Sequence, residues 1–311
     1  MARYAIDREF SICTHLRPVL CKPAFVLINP LLRALAPRSG ASMRIRRLRM
    51  EGFDGAGVRA LFFEPAGLPE SAPCLVYFHG GAFLIQAAPY HYRLAREYAA
   101  GAGCKVLFVD YRLTTKCRFP IPAEDCFSAF EWALAHADSL GIDRSRIAVA
   151  GDSAGGNLAA AVCLMARDRK TAPPCFQMLI YPVIDRRMQS PSMRAYRNTP
   201  MWNSRLSQKM WRLYLPKGRL ESASYASPIE ADSLANLPDA YIETAQFDCL
   251  RDEAAGYAAA LSAAGSQVEL RQTKGTVHGF DMISASKLVQ TCVRQRIHAL
   301  CQAFSIGETG N

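Results

Sequence analysis

A short continuous apolar run, Ile147-Ala148-Val149-Ala150, feeds Gly151-Asp152-Ser153-Ala154-Gly155-Gly156-Asn157, after which the chain takes up an apolar helical pattern. A serine set between glycines at a strand-to-helix junction needs a very sharp turn. A Cβ at either flanking glycine would strike neighbouring backbone, and the turn lifts the Ser153 hydroxyl above the sheet that carries it. This is how a nucleophilic serine is mounted.

The rest of the chain supplies such a sheet. Residues 1–40 read as an amphipathic helical lead-in, broken at Pro18, Pro23, Pro30 and Pro37, and strand-like runs over 43–50 and 58–64 read as an antiparallel hairpin at a sheet edge. From Pro73 strands and helices alternate. Strands are expected at 74–78, 105–110, 146–150, 176–181, 239–245 and 268–273, with helices at 90–102, 123–140, 155–170, 252–264 and 286–304. Short apolar strands alternating with longer helical segments predict an α/β fold, a mostly parallel sheet covered by helices on both faces. Residues 186–219, rich in Met, Trp, Tyr and Arg, interrupt that rhythm and read as a cap insertion over the carboxyl edge of the sheet. The expected organisation is one domain: an N-terminal cap segment over 1–45, a core over 46–185 and 220–311, and the cap insertion between them.

At 311 residues the chain is long enough for one large α/β core. Its eleven cysteines lack close metal-type spacing, and several sit inside apolar strand or helix patterns, so a reduced, cytoplasmic protein without a disulfide framework, metal or cofactor is expected. No secretion signal is visible, and the best apolar run near the N-terminus, residues 23–32, is too short to span a bilayer. The net charge of +10 is unevenly placed: residues 1–50 carry ten Lys/Arg against Asp7 and Glu9, and residues 186–219 carry nine against no acid. Two solvated basic segments, steering of anionic substrates, and weak contact with an acidic lipid surface are all compatible with this. Nucleic-acid binding is not expected, because no groove-reading module accompanies the charge. Monomer and homo-oligomer stay open.

A serine hydroxyl is a poor nucleophile near neutral pH, so Ser153 needs a base, and the base needs an orienting carboxylate. Of six histidines, His15 lies in the lead-in, His91, His136 and His298 fall in helical patterns, and His79 precedes a glycine pair. That leaves His278, in a glycine-flanked loop after the last strand. For the carboxylate, Asp248 directly follows the strand at 239–245 and is preferred over Asp252, which reads as an N-terminal helix cap. The expected order Ser153, Asp248, His278 is that of an α/β-hydrolase. Backbone amides of Gly80, Gly81 and Ala154 are expected to receive the oxyanion of a tetrahedral intermediate. Phe83, Trp202, Trp211, Tyr214 and Phe280 are the expected substrate-pocket residues.

The motifs His79-Gly80-Gly81-Ala82, Asp110-Tyr111-Arg112-Leu113, Gly151-Asp152-Ser153-Ala154-Gly155-Gly156, Asp248 with Leu250, Arg251 and Asp252, and His278-Gly279-Phe280 together resemble the hormone-sensitive-lipase-like, or acetyl-esterase-like, branch of the α/β-hydrolases. The likeness runs from about Arg47 onward. It implies a metal-independent carboxylesterase acting on short- to medium-chain acyl esters of small molecules, with the site covered by an N-terminal cap and an insertion. It also implies that His79 supports the oxyanion loop. Three departures bear on substrate shape: Ala82 stands in place of a third glycine, Cys249 in place of a proline, and Thr114-Thr115 in place of Ala-Pro. An amidase or formamidase would use the same triad, and a non-catalytic small-molecule receptor of similar sequence would lack the histidine that is present here.

Overall fold

The computed structural model describes residues 4–218 and 220–305. Its eight strands are β1 (Met43–Glu51), β2 (Gly57–Pro65), β3 (Ala72–Phe78), β4 (Lys105–Asp110), β5 (Ile142–Asp152), β6 (Gln177–Ile180), β7 (Ala240–Ala245) and β8 (Val268–Thr273). They form one sheet in the order β1-β2-β4-β3-β5-β6-β7-β8. The β2 strand runs antiparallel to both β1 and β4, and every other pairing is parallel. This is the expected α/β-hydrolase fold with its antiparallel hairpin at one edge.

Period-two alternation divides the side chains of the central strands between two cores. Cys74, Val76 and Phe78 of β3 enter one cluster while Leu75 and Tyr77 enter the other. All seven β3 residues are buried, as a strand covered on both faces requires. The edge strand β1 instead carries Arg44, Arg46, Arg47 and Arg49, whose charge discourages pairing with another chain.

The helices are α1 (Lys22–Ala34), α2 (Pro89–Gly101), α3 (Ile121–Ala135), α4 (Ala137–Leu140), α5 (Ala154–Asp168), α6 (Pro191–Ala195), α7 (Ser204–Tyr214), α8 (Ala223–Ala226), α9 (Arg251–Ala263) and α10 (Lys287–Ser305). Two expectations need correction. Pro30 does not break the lead-in but lies inside α1, whose first turn begins at Pro23 with its φ already suited to a helix. The single helix expected at 123–140 is two, because His136 (φ −107°, ψ 16°) leaves the helical region between α3 and α4. Between β6 and β7 the chain makes the long excursion containing α6, α7 and α8.

A charged knot ties α10 to the sheet. Arg296, fully buried, meets Glu243 of β7 at 2.6 Å and Asp281 at 2.9 Å, both also fully buried. Tyr241 donates to Glu243 and Tyr181 to Asp281, while Arg296 donates to the Tyr98 hydroxyl. One guanidinium is shared by two carboxylates, so removing it strands both of them in burial. Arg296→Met is expected to cost about 3–5 kcal/mol in urea unfolding. A loss below ~1 kcal/mol would mean that the knot is not needed for stability.

Candidate active site

At the junction of β5 and α5, Ser153 adopts φ 54°, ψ −117°, a conformation that L-residues rarely adopt and that a tight, fully packed turn must enforce. Close approach explains Gly155: a Cβ there would run into the carbonyl of Phe78 on the neighbouring strand. The turn sits at the carboxyl ends of the central strands, where loops from several strands converge.

Two of those loops bring in the other residues. His278, in the loop after β8, has Nε2 2.8 Å from Ser153 Oγ and Nδ1 2.6 Å from Asp248 Oδ2. The carboxylate accepts a hydrogen bond from Nδ1–H, so Nε2 carries the lone pair that accepts the serine hydroxyl. Asp248 is fully buried, and its other oxygen accepts the amide of Leu250 at 3.0 Å. Tyr181 packs edge-on against the His278 ring at 4.7 Å between centroids, and the Tyr181 hydroxyl is held by Asp281.

Asp252 does something other than cap a helix. Helix α9 begins at Arg251 with Leu250 as N-cap, and the Asp252 carboxylate turns outward to accept the Ser192 amide of the insertion at 2.7 Å. Ser192 returns the contact, accepting the Asp252 amide and donating to the Cys249 carbonyl. The loop that holds Asp248 is thereby clasped to the insertion.

The loop after β3 corrects the oxyanion expectation. Gly80 cannot donate, because its amide is already bonded to the Asp152 carboxylate at 2.9 Å. The amides of Gly81 and Ala82 have no acceptor among the described residues, and both residues line the cavity above Ser153. Gly81 takes φ 111°, open to glycine, while Ala82 and Phe83 both sit at φ 57°. The third free amide is that of Ala154, the first residue of α5. Gly81 and Ala82 thus carry unbonded N–H groups on the cavity lining, and Ala154, next to Ser153, adds one at a helix N-terminus, where negative charge is favoured.

Behind the loop lies a buried polar cluster only partly visible in the sequence. Burial alone would raise the Asp152 carboxyl, but the adjacent His91 ring and bonds from His91, Tyr77 and Gly80 bring it down to about 2. Asp152 is therefore a fixed anion that holds the oxyanion loop through Gly80. Burial, aided by the nearby His91, lowers His79 to about 4, so its ring is neutral near pH 7 and Nδ1 donates to the Gly80 carbonyl at 2.6 Å. Tyr111 donates to the His79 carbonyl from below. Asp152 was the missed residue. Its place between Gly151 and Ser153 is the signal that could have found it.

The cavity over Ser153 measures about 130 Å³. Of the five expected pocket residues only Trp202 lines it. Phe83 packs instead against Trp211 and Tyr214 of α7, its ring stacked on that of Tyr214 at 3.7 Å. Phe280 is fully buried against Phe10 and Tyr181. The walls come instead from Leu20 and Pro18 of the lead-in and from Ile85, Tyr181, Met201 and Met282. Among the described residues no group of three or more His, Cys, Asp or Glu side chains is arranged to hold a metal ion.

A sequence model of the alpha/beta hydrolase fold matches residues 75–282, which contain Ser153, Asp248, His278 and the loop after β3. Among curated proteins, esterase LipI of Mycobacterium tuberculosis is 35% identical over 240 residues, 76% of this chain and 75% of its own. Carboxylesterase NlhH of the same organism is 36% identical over 237 residues, 75% of this chain and 74% of its own. Among solved structures, a bacterial heroin esterase superposes with a TM-score of 0.88 at 33% identity, covering 96% of this chain and 98% of its own.

Proposed function

The chain belongs to the α/β-hydrolase family, in its hormone-sensitive-lipase-like branch, and is a carboxylic ester hydrolase; within that activity we propose that it cleaves short- to medium-chain acyl esters of small molecules through Ser153, His278 and Asp248. The observation that carries this reading is the unbroken chain of contacts Asp248–His278–Ser153, at 2.6 and 2.8 Å, opening on a cavity.

Ser153 Oγ attacks the ester carbonyl carbon as its proton passes to His278 Nε2, and Asp248 stabilises the imidazolium that results. The carbonyl π electrons move onto oxygen, which the amides of Gly81, Ala82 and Ala154 receive. Collapse of this intermediate breaks the bond to the alkoxy oxygen, which leaves as the alcohol with the proton from His278. Water then attacks the acyl-enzyme, losing its proton to His278, and the second collapse returns the proton to Ser153 and releases the acid. Residues 1–45 and 186–219 serve as the cap that limits water and shapes the pocket. A reducing, cytoplasmic setting suits eleven cysteines that are all free thiols.

Two features support short acyl groups. The cavity of about 130 Å³ is smaller than the roughly 300–1,000 Å³ of pockets for drug-sized ligands, and Trp202, Tyr181, Met201 and Met282 wall it in. Each added methylene contributes about 0.8 kcal/mol, or roughly fourfold in kcat/KM, only while there is room to bury it. A series of p-nitrophenyl esters from acetate to palmitate should therefore give a maximum at short to medium chains and a fall beyond. A best substrate among emulsified long-chain triglycerides would overturn the short-chain reading, and faster cleavage of matched amides would overturn the ester preference.

A further inference from the structure

Helix α1 is built inside out. Its core-facing side is pinned by polar groups: Asn29 donates to the Leu84 carbonyl and accepts the Gln86 amide, and Arg33 meets Asp110 at 2.8 Å and Gln86 at 2.9 Å. Its outer side carries Val26, Leu27, Pro30 and Leu31, with Leu27 and Leu31, one turn apart, 74% and 69% exposed. A helix that packs on a domain ordinarily shows the opposite pattern. Outside the helix, Ile12, Val19 and Leu35 of the same segment are also 61%, 70% and 58% exposed. Apart from Phe53 and Leu270, all the exposed large apolar side chains among the described residues fall between positions 12 and 35.

The segment that carries these side chains also reaches the cavity over Ser153. Pro18 and Leu20 of the same lead-in line that cavity, and the Leu16 carbonyl accepts the Met201 amide from the insertion. The insertion supplies charge. Helix α7 turns Met210, Trp211 and Tyr214 inward and leaves Arg205, Lys209 and Arg212 exposed, none with an ion-pair partner among the described residues. Arg8 and Arg17 are also exposed on the lead-in, against the exposed acids Asp7 and Glu9. Helices α1 and α7 both rest on the loop after β3, one through Leu84 and Gln86, the other through Phe83.

We propose that this face seats on an anionic lipid surface, with the apolar side chains of residues 12–35 entering the headgroup boundary, the basic side chains of α7 over the acidic headgroups, and the cavity mouth turned toward the lipid. Charge selects this occupant. A second copy would set two net-basic lead-ins face to face, whereas an anionic leaflet complements them. An apolar face flanked by Lys and Arg is the composition by which a helix lies in such an interface. No helix among the described residues is long and apolar enough to cross the membrane, so the contact is peripheral. The proposal deepens the ester-hydrolase reading by naming a lipid surface as the place from which apolar esters enter, but the binding itself does not depend on turnover.

The test is co-sedimentation of the full chain with vesicles of phosphatidylcholine alone or mixed with phosphatidylserine, at low and high salt. The variants are Leu27→Glu/Leu31→Glu and Arg205→Ser/Lys209→Ser. The wild type should pellet with the phosphatidylserine vesicles, remain free with phosphatidylcholine, and be released by salt. Each double variant should weaken binding by about tenfold or more, given about 1 kcal/mol per basic residue near the surface and the loss of two apolar anchors. Turnover of a soluble short-chain ester, measured alongside, should stay within about twofold, since none of the four residues lines the cavity. Absence of pelleting, equal binding to neutral vesicles, or unchanged binding of the variants would overturn the proposal. So would a wild-type dimer in sedimentation velocity that Leu27→Glu/Leu31→Glu dissociates. Failure of the ester reading would appear separately, as binding without turnover.

Discussion

Replacing Ser153 with alanine is expected to lower ester turnover by about six orders of magnitude and leave the fold intact. The hydroxyl is the only atom group removed. Ser153 is 6% exposed and its backbone is held by its amide on Ile180 and its carbonyl on Val183, so the strained turn persists without the side chain. What is lost is the attacking oxygen of the 2.8 Å contact to His278. The variant should match the wild type in thermal unfolding while the residual rate reflects only the free amides and the cavity. Labelling the wild type with a fluorophosphonate and mapping the adduct provides an independent check. An adduct on another serine would remove Ser153 from the mechanism.

Asp248→Asn is expected to reduce kcat by about 10⁴-fold, whereas Asp252→Asn should change it by less than about tenfold. The contrast follows from where the two carboxylates point. Asp248 accepts the Nδ1 proton of His278 at 2.6 Å in full burial, so an amide there favours the wrong tautomer and leaves the imidazolium uncompensated. Asp252 accepts from Ser192 and Arg251 and has no contact with the imidazole. Losing its charge weakens the clasp between the insertion and the acid loop, at a cost of about 1–2 kcal/mol in unfolding free energy. Steady-state kinetics on both folded variants decide the matter, and equal losses of kcat would assign the orienting role differently.

The parts of the site that are readable from the chain are those encoded by neighbours in sequence. The serine turn is legible because two glycines and a serine within five residues can serve few other purposes at a strand-to-helix junction. The order Ser153, Asp248, His278 is legible because each residue lies in the turn or loop that follows an expected strand, and parallel strands deliver their following loops to one edge. The three residues singled out in this way are those that come within hydrogen-bond distance of one another. Of the expected donors Gly80, Gly81 and Ala154, Gly80 has its amide bonded to a carboxylate. Which of the loop's amides is free depends on Asp152, 72 positions away, and nothing local to His79-Gly80-Gly81-Ala82 reports that contact.

The aromatic residues show the opposite limit. Phe83, Trp202, Trp211, Tyr214 and Phe280 are alike in being bulky and in lying in segments expected near the mouth, yet only Trp202 lines the cavity. Composition cannot tell a wall from a core, because burial against cap and burial against substrate draw on the same side chains. Helix α1 makes the same point about faces: its periodicity announces two sides, but Asn29 and Arg33 find partners in Gln86 and Asp110 only once the sheet is assembled, and so the polar side turns inward. The sequence by itself determined the α/β alternation, the serine turn and the order of Ser153, Asp248 and His278, since short-range sterics and side-chain period act over a few residues. Only the tertiary structure decided which amides face the site, which side chains wall it and which face of α1 meets solvent, because each of those outcomes depends on partners many positions away in the chain.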